Sequence, residues 1–124
     1  MMKSLPLSLF SALTLLLAAH VQAETRPDHY QGEPAETLEQ AVTNFSEYNA
    51  KLAELLAGEL TPAALSEVHQ LTYTLENALA KINEETAALA QTLEEVHVAS
   101  ETNQPQLVKD RGEAYLAVSR TLIP

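Results

Sequence analysis

Three histidines lie beyond the apolar N-terminus, at His29, His69 and His97. Imidazole both titrates near neutral pH and ligates metals, so these are the first residues to weigh for chemistry. His69 and His97 are four heptads apart, ~42 Å along a straight helix at 1.5 Å per residue. They therefore share one flank of a helix, and one straight chain does not bring them to a single ion. A folded-back helix or an antiparallel dimer would, and the site would then suit bis-imidazole haem b or a divalent metal inside a bundle. The plainer reading, which we favour, makes both of them boundary residues, half covered and hydrogen-bonded to a neighbour.

His69, Tyr73 and Glu76 fall at i, i+4 and i+7, one patch on one helix face. A carboxylate beside an imidazole orients it for acid–base work or metal binding. No serine stands beside the patch as a nucleophile and no second acid completes a mechanism. No nucleophile–base–orienter set can be assembled, so the reading is non-enzymatic, with a solvated hydrogen-bonded patch in place of an active site. Glu94-Glu95-Val96-His97 holds one Glu-x-x-His spacing. Carboxylate di-metal bundles need that motif twice, plus two further inward glutamates. Asp28-His29-Tyr30 resembles a loose copper or zinc tail, and equally any polar tail with one histidine. Arg111 falls on the apolar side of its helix. Snorkelling is the favoured account, with pairing to an acid of the preceding helix or an anion contact as alternatives. Glu84-Glu85 and Glu94-Glu95 read as solvated faces. Asn44-Phe45-Ser46 matches a glycosylation acceptor but lies mid-helix beside a core Phe.

The chain that carries these residues has 124 residues, a net charge of −10 and no cysteine. This is one small domain. Disulfides, thiolate metal sites, cysteine nucleophiles and covalent haem are excluded. The acidic balance excludes nucleic acid and anionic membrane surfaces as partners. Lys3, the apolar run Leu5–Ala19 and the small residues of Val21-Gln22-Ala23 read as a signal peptide cleaved after Ala23. The expected location is the periplasm. No later run is long and apolar enough for stable membrane insertion.

Residues 24–33 read as a flexible lead-in and residues 34–124 as a helical bundle. Pro34, Pro62 and Pro105 each sit where a first helical residue belongs, since proline needs no N–H there. Thr61 caps the middle helix, Leu60 can staple to Leu65, and Gly58 is expected as a left-handed C-cap. The first helix, Pro34–Ala57, carries a stripe of Leu38, Ala41, Phe45, Tyr48, Leu52 and Leu55. The third, Pro105–Ile123, carries Val108, Tyr115, Val118 and Leu122. Between Pro62 and Ser100 there is neither Gly nor Pro. Leu65, Val68, Thr72, Leu75, Leu79, Ile82, Thr86, Leu89, Leu93, Val96 and Ser100 keep an unbroken three–four rhythm. That predicts one long, coiled-coil-like helix, with the seam hydroxyls bonded back to the preceding turn.

The predicted fold class is therefore all-α: three helices, the outer two antiparallel along successive halves of the central one. Two helices per cross-section bury little apolar surface, so a homodimer completing a four-helix cross-section is expected. The alternative is a compact monomeric four-helix bundle with a break near Asn83–Thr86.

The tract from His69 to Leu79, then Leu93-Glu94-Glu95-Val96-His97-Val98-Ala99-Ser100, then Gly112-Glu113-Ala114-Tyr115, resembles a family of small secreted proteobacterial proteins of unknown function. The likeness extends from about Leu38 onward and implies a periplasmic helical protein. There is a looser architectural likeness to periplasmic b-type cytochrome bundles. Those use a Met on the first helix and a His on the last; here no Met follows Ala23 and the third helix has no His. The reading is an exported non-enzymatic binding or interaction protein without a cofactor, with a haem- or metal-binding bundle through His69 and His97 as the alternative.

Overall fold

The structure, a computed structural model, describes residues 30–123. The expected signal peptide, its expected cleavage point after Ala23, and His29 lie outside the described residues. Three helices follow one another: α1 (Leu38–Ala57), α2 (Pro62–Glu101) and α3 (Pro105–Leu122). Among the described residues there is no strand, and no helix is long and apolar enough to cross a membrane.

The central helix forms as its rhythm predicts. Thr61 Oγ1 accepts from the Ala64 N–H at 3.2 Å, and Pro62 opens the first turn. From there α2 runs 40 residues without a break, ~60 Å at 1.5 Å per residue. The compact alternative with a reversal near Asn83–Thr86 is not adopted. At that point Thr86 Oγ1 donates to the carbonyls of Ile82 at 2.8 Å and Asn83 at 3.1 Å. The hydroxyl is satisfied inside the helix, so nothing there favours opening it.

The start of α1 departs from expectation. It begins at Leu38, because Thr37 and Gln40 form a capping box. Thr37 Oγ1 accepts from the Gln40 N–H at 3.2 Å, and Gln40 Oε1 accepts from the Thr37 N–H at 3.3 Å. Pro34 instead lies outside the helix, where its carbonyl accepts from Asn44 Nδ2 at 3.1 Å. Gly58 is not left-handed either, with φ −95° and ψ −171°. The α1–α2 turn is closed by Gly58 N–H to Leu55 O and Thr61 N–H to Glu59 O, at 3.2 and 2.9 Å. The left-handed residue stands at the other turn. Asn103 has φ 55° and the Gln104 N–H reaches Ala99 O at 3.0 Å, a Schellman closure that leaves only a short link before Pro105.

These tight turns fold α1 back along the first half of α2 and α3 back along the second. The start of α1 and the end of α3 meet at the waist of α2, where Glu36, Leu38, Glu85, Ala117 and Thr121 border a cavity of about 390 Å³. Among the described residues the buried apolar ones are few: Leu38 and Ala41 of α1, and Leu71, Leu75, Ala78 and Ala99 of α2. Phe45, Tyr48, Leu52 and Leu55 of the α1 stripe, and Val108, Tyr115, Val118 and Leu122 of α3, are half-buried.

The single seam expected on α2 is in fact two rows with different fates. Leu75 is buried, and Val68, Ile82, Leu89 and Val96, which share its row at heptad spacing, are half-buried. Leu65, Leu79 and Leu93, in the neighbouring row, stay 53%, 42% and 47% exposed. The helix is rotated so that its covered arc runs from the Leu75 row across Leu71, Ala78 and Ala99, away from the Leu79 row. Small residues at Ala78 and Ala99, 0% and 1% exposed, allow close approach of the neighbouring helices on that side.

Candidate functional site

An extended segment ahead of α1 is the least expected part of the molecule. The lead-in read as flexible ends in residues that lie against α2. The Glu33 N–H donates to Thr74 Oγ1 at 3.0 Å. Asn77 Nδ2 donates to the carbonyls of Gln31 and Glu33 at 2.9 and 3.0 Å. Gly32 sits between these anchors with φ +77°. A Cβ there would meet Thr74 N at 2.6 Å and Tyr73 C at 2.8 Å, so only glycine permits this approach. Thr74, 0% exposed, is the largest fully buried side chain among the described residues, and its oxygen is satisfied by this segment, the strap of residues 31–33. From the sequence, Thr74 and Asn77 take no role, Gly32 reads only as part of a flexible lead-in, and Asn44 only as part of a glycosylation match. The available signals were slight: Thr74 and Asn77 are polar residues beside, not on, the apolar rows, and Gly32 is the only glycine before Gly58.

The strap and the α1–α2 pair enclose a groove of about 380 Å³ whose walls include Tyr30, Tyr48, Lys51, Glu67 and Leu71. Lys51 Nζ lies 4.0 Å from the centre of the Tyr48 ring, a cation–π contact that fixes one rim. A second concavity, about 320 Å³, lies between α2 and α3 and is bordered by Val98, Ala99, Leu107 and the Glu95–Arg111 pair.

The sequence-selected patch assembles only in part. Tyr73 Oη and His69 Nε2 are 3.3 Å apart, with the rings edge-to-face at 5.2 Å. Glu76 is exposed and makes no hydrogen bond to either. His69 and His97 are exposed rather than half covered, because the covered arc of α2 turns away from their row. His97 Nε2 lies 3.4 Å from Glu101 Oε1, and Glu94 is exposed beside it. Since α2 is one rod, His69 and His97 remain ~42 Å apart within one chain at 1.5 Å per residue. Among the described residues, no group of three or more His, Asp or Glu side chains could hold a metal ion.

Glu84, Glu94 and Glu95 are exposed, as expected, and Glu85 is half-buried; ion pairs nevertheless engage three of these four acids. Arg111 Nε meets Glu95 Oε2 at 2.9 Å, so Arg111 pairs with α2 and does not snorkel. Lys81 Nζ reaches Glu85 Oε1 at 2.8 Å and Glu84 Oε2 at 3.4 Å. The hydrogen bond to Glu85 holds the Lys81 ammonium above its ordinary pKa, against the cost of leaving water; Glu84 adds to the same direction. Glu85 stands at the waist, where the start of α1 and the end of α3 meet α2.

No curated protein and no solved structure matches this sequence. One family model covers it almost throughout, over residues 2–124. The chain belongs to that family, DUF6746, a family of unknown function.

Proposed function

We propose that this protein is an exported, non-enzymatic interaction module that works through the apolar faces of its helices. One observation carries the reading. Leu65, Leu79 and Leu93 recur at fixed spacing along an unbroken helix and are about half exposed, on a row with no charged residue between Leu65 and Ser100. A regular apolar row of that length is the mark of a surface that meets another helix. The residues nearest to catalytic chemistry support the non-enzymatic reading, since His69 meets Tyr73 and no carboxylate. Export rests on the N-terminal pattern of Lys3, Leu5–Ala19 and Val21-Gln22-Ala23.

Site-specific photo-crosslinking in the expressing cell tests this. A photoreactive residue in place of Leu65, Leu79 or Leu93 is expected to form discrete protein adducts. The same residue at Ala63 or Gln91, exposed on the far side of α2, is expected to form none. Equal labelling at all five positions, or none at the leucines, overturns the reading.

A further inference from the structure

The two sides of the α1–α2 pair are finished differently. On one side the strap covers Thr74 and bonds Asn77. On the other side Leu65, Leu79 and Leu93 stay about half exposed. Between these leucines stand Thr72 and Thr86, with Ser100 beyond Leu93. Each hydroxyl donates to a carbonyl of its own helix: Thr72 to His69 O at 2.7 Å, Thr86 to Ile82 O at 2.8 Å, Ser100 to His97 O at 2.7 Å. Such a row can be covered by apolar surface without stranding a donor, so its polar members do not oppose burial.

We propose that this row pairs antiparallel with the same row of a second copy, about a two-fold axis at Leu79. The proposal rests on the interaction reading above and names its partner. Three observations select a second copy, and this orientation.

The first is pattern. Leu65 and Leu93 are equally distant from Leu79, as are Thr72 and Thr86. Antiparallel pairing at Leu79 therefore sets Leu65 against the partner's Leu93 and hydroxyl against hydroxyl. A self-complementary patch is what an isologous interface requires.

The second is size. From Leu65 to Leu93, the part of the row that an axis at Leu79 matches with itself, the row is ~42 Å long and about 10 Å wide, so two copies face to face bury on the order of 1,000 Å². Specific interfaces begin near about 1,000 Å². The rod of matching length that the molecule itself supplies is another α2.

The third is charge. Glu94 and Glu101 follow directly after Leu93 and Ser100. Parallel pairing would line each up beside its own copy in an already acidic protein. Antiparallel pairing sets Glu94 beside the partner's uncharged Ala63–Ser66 stretch and carries Glu101 past the start of the partner's α2, and opposes the two helix dipoles favourably. In every cross-section the result is four helices, α1 and α2 of one copy against α2 and α3 of the other.

Sedimentation equilibrium and spin-label distances on the protein purified from expressing cells test the proposal. The expected mass is that of two chains. Leu79→Glu sets two carboxylates against each other at the axis and is expected to weaken association at least ~100-fold, with the helical circular dichroism retained. A single thiol introduced at exposed Ser66 and spin-labelled, in a chain with no cysteine, is expected to read an inter-copy separation near 40 Å, the axial offset at 1.5 Å per residue. A monomer at all concentrations, a dimer indifferent to Leu79→Glu, or a short Ser66 separation overturns it. Were Leu79→Glu to unfold the chain, the mass and the label distance would still decide. A monomer that nevertheless crosslinks a different protein through Leu79 would sink the self-pairing alone; loss of all adducts would sink the interaction reading itself.

Discussion

Gly32 lies so close to Thr74 that a Cβ on it would stand 2.6 Å from the Thr74 backbone nitrogen. This contact brings a carbonyl and an N–H of the strap within reach of Asn77 and Thr74. Gly32→Ala meets both the clash and the positive φ, so it is expected to release the strap at a cost of about 1–3 kcal/mol. Chemical denaturation measures the loss. Hydrogen exchange at the Glu33 amide, slow in the parent protein and fast in the variant, locates it.

Thr74 is fully buried and its hydroxyl is the acceptor for the Glu33 N–H. Thr74→Val keeps the shape and removes the acceptor, leaving a part-buried donor unpaired, with an expected loss of about 1–3 kcal/mol. Thr74→Ser keeps the oxygen and is expected to lose less. A larger loss in Thr74→Ser than in Thr74→Val would show that the methyl group, not the hydrogen bond, matters at this position.

Arg111 and Glu95 are each about half exposed, so their ion pair is screened by water. Arg111→Ala is expected to cost no more than about 1 kcal/mol, and a double-mutant cycle with Glu95→Ala should give a coupling within that limit that shrinks further in high salt.

Lys81 has a pKa raised above 10.5, first through its hydrogen bond to Glu85. A group whose pKa is raised by folding contributes stability that is fully present below its unfolded value and is lost as pH climbs through the folded one. The melting temperature of the parent protein is therefore expected to exceed that of Glu85→Gln by a constant margin from neutral pH to about pH 10, with the margin closing above that as lysine deprotonates. A margin that closes near neutrality would contradict this.

The N-terminal pattern gives its own test. Intact-mass and N-terminal analysis of protein recovered from a periplasmic extract is expected to find a chain starting at Glu24. A chain retaining Lys3, or one found only in the cytoplasm, would remove the export step from the proposed function.

Much of the architecture is legible in order along the chain. The lack of Gly and Pro between Pro62 and Ser100, with an unslipped three–four rhythm, accounts for the 40-residue α2. Thr61-Pro62 and Pro105 mark two helix starts where they occur. The third start was readable too, since Thr37-Leu38-Glu39-Gln40 spells a capping box, yet Pro34 offered a competing signal. The site residues fared less well. His69 and Tyr73 do meet because they are one turn apart, while Glu76, His97 and Glu94 stay apart from them on an exposed flank.

The difference has a physical cause. Helix existence, length and capping depend on bonds between residues three to five apart, and the order of amino acids states these directly. Which face of α2 is covered depends on how two other helices roll against it, and apolar rows side by side offer nearly equal choices. Small residues at Ala78 and Ala99 and the strap bonds from Gln31 and Glu33 to Asn77 and Thr74 settle that roll. Those bonds join positions more than forty residues apart, so no local pattern announces them, and the leucine row left open exists only as their consequence.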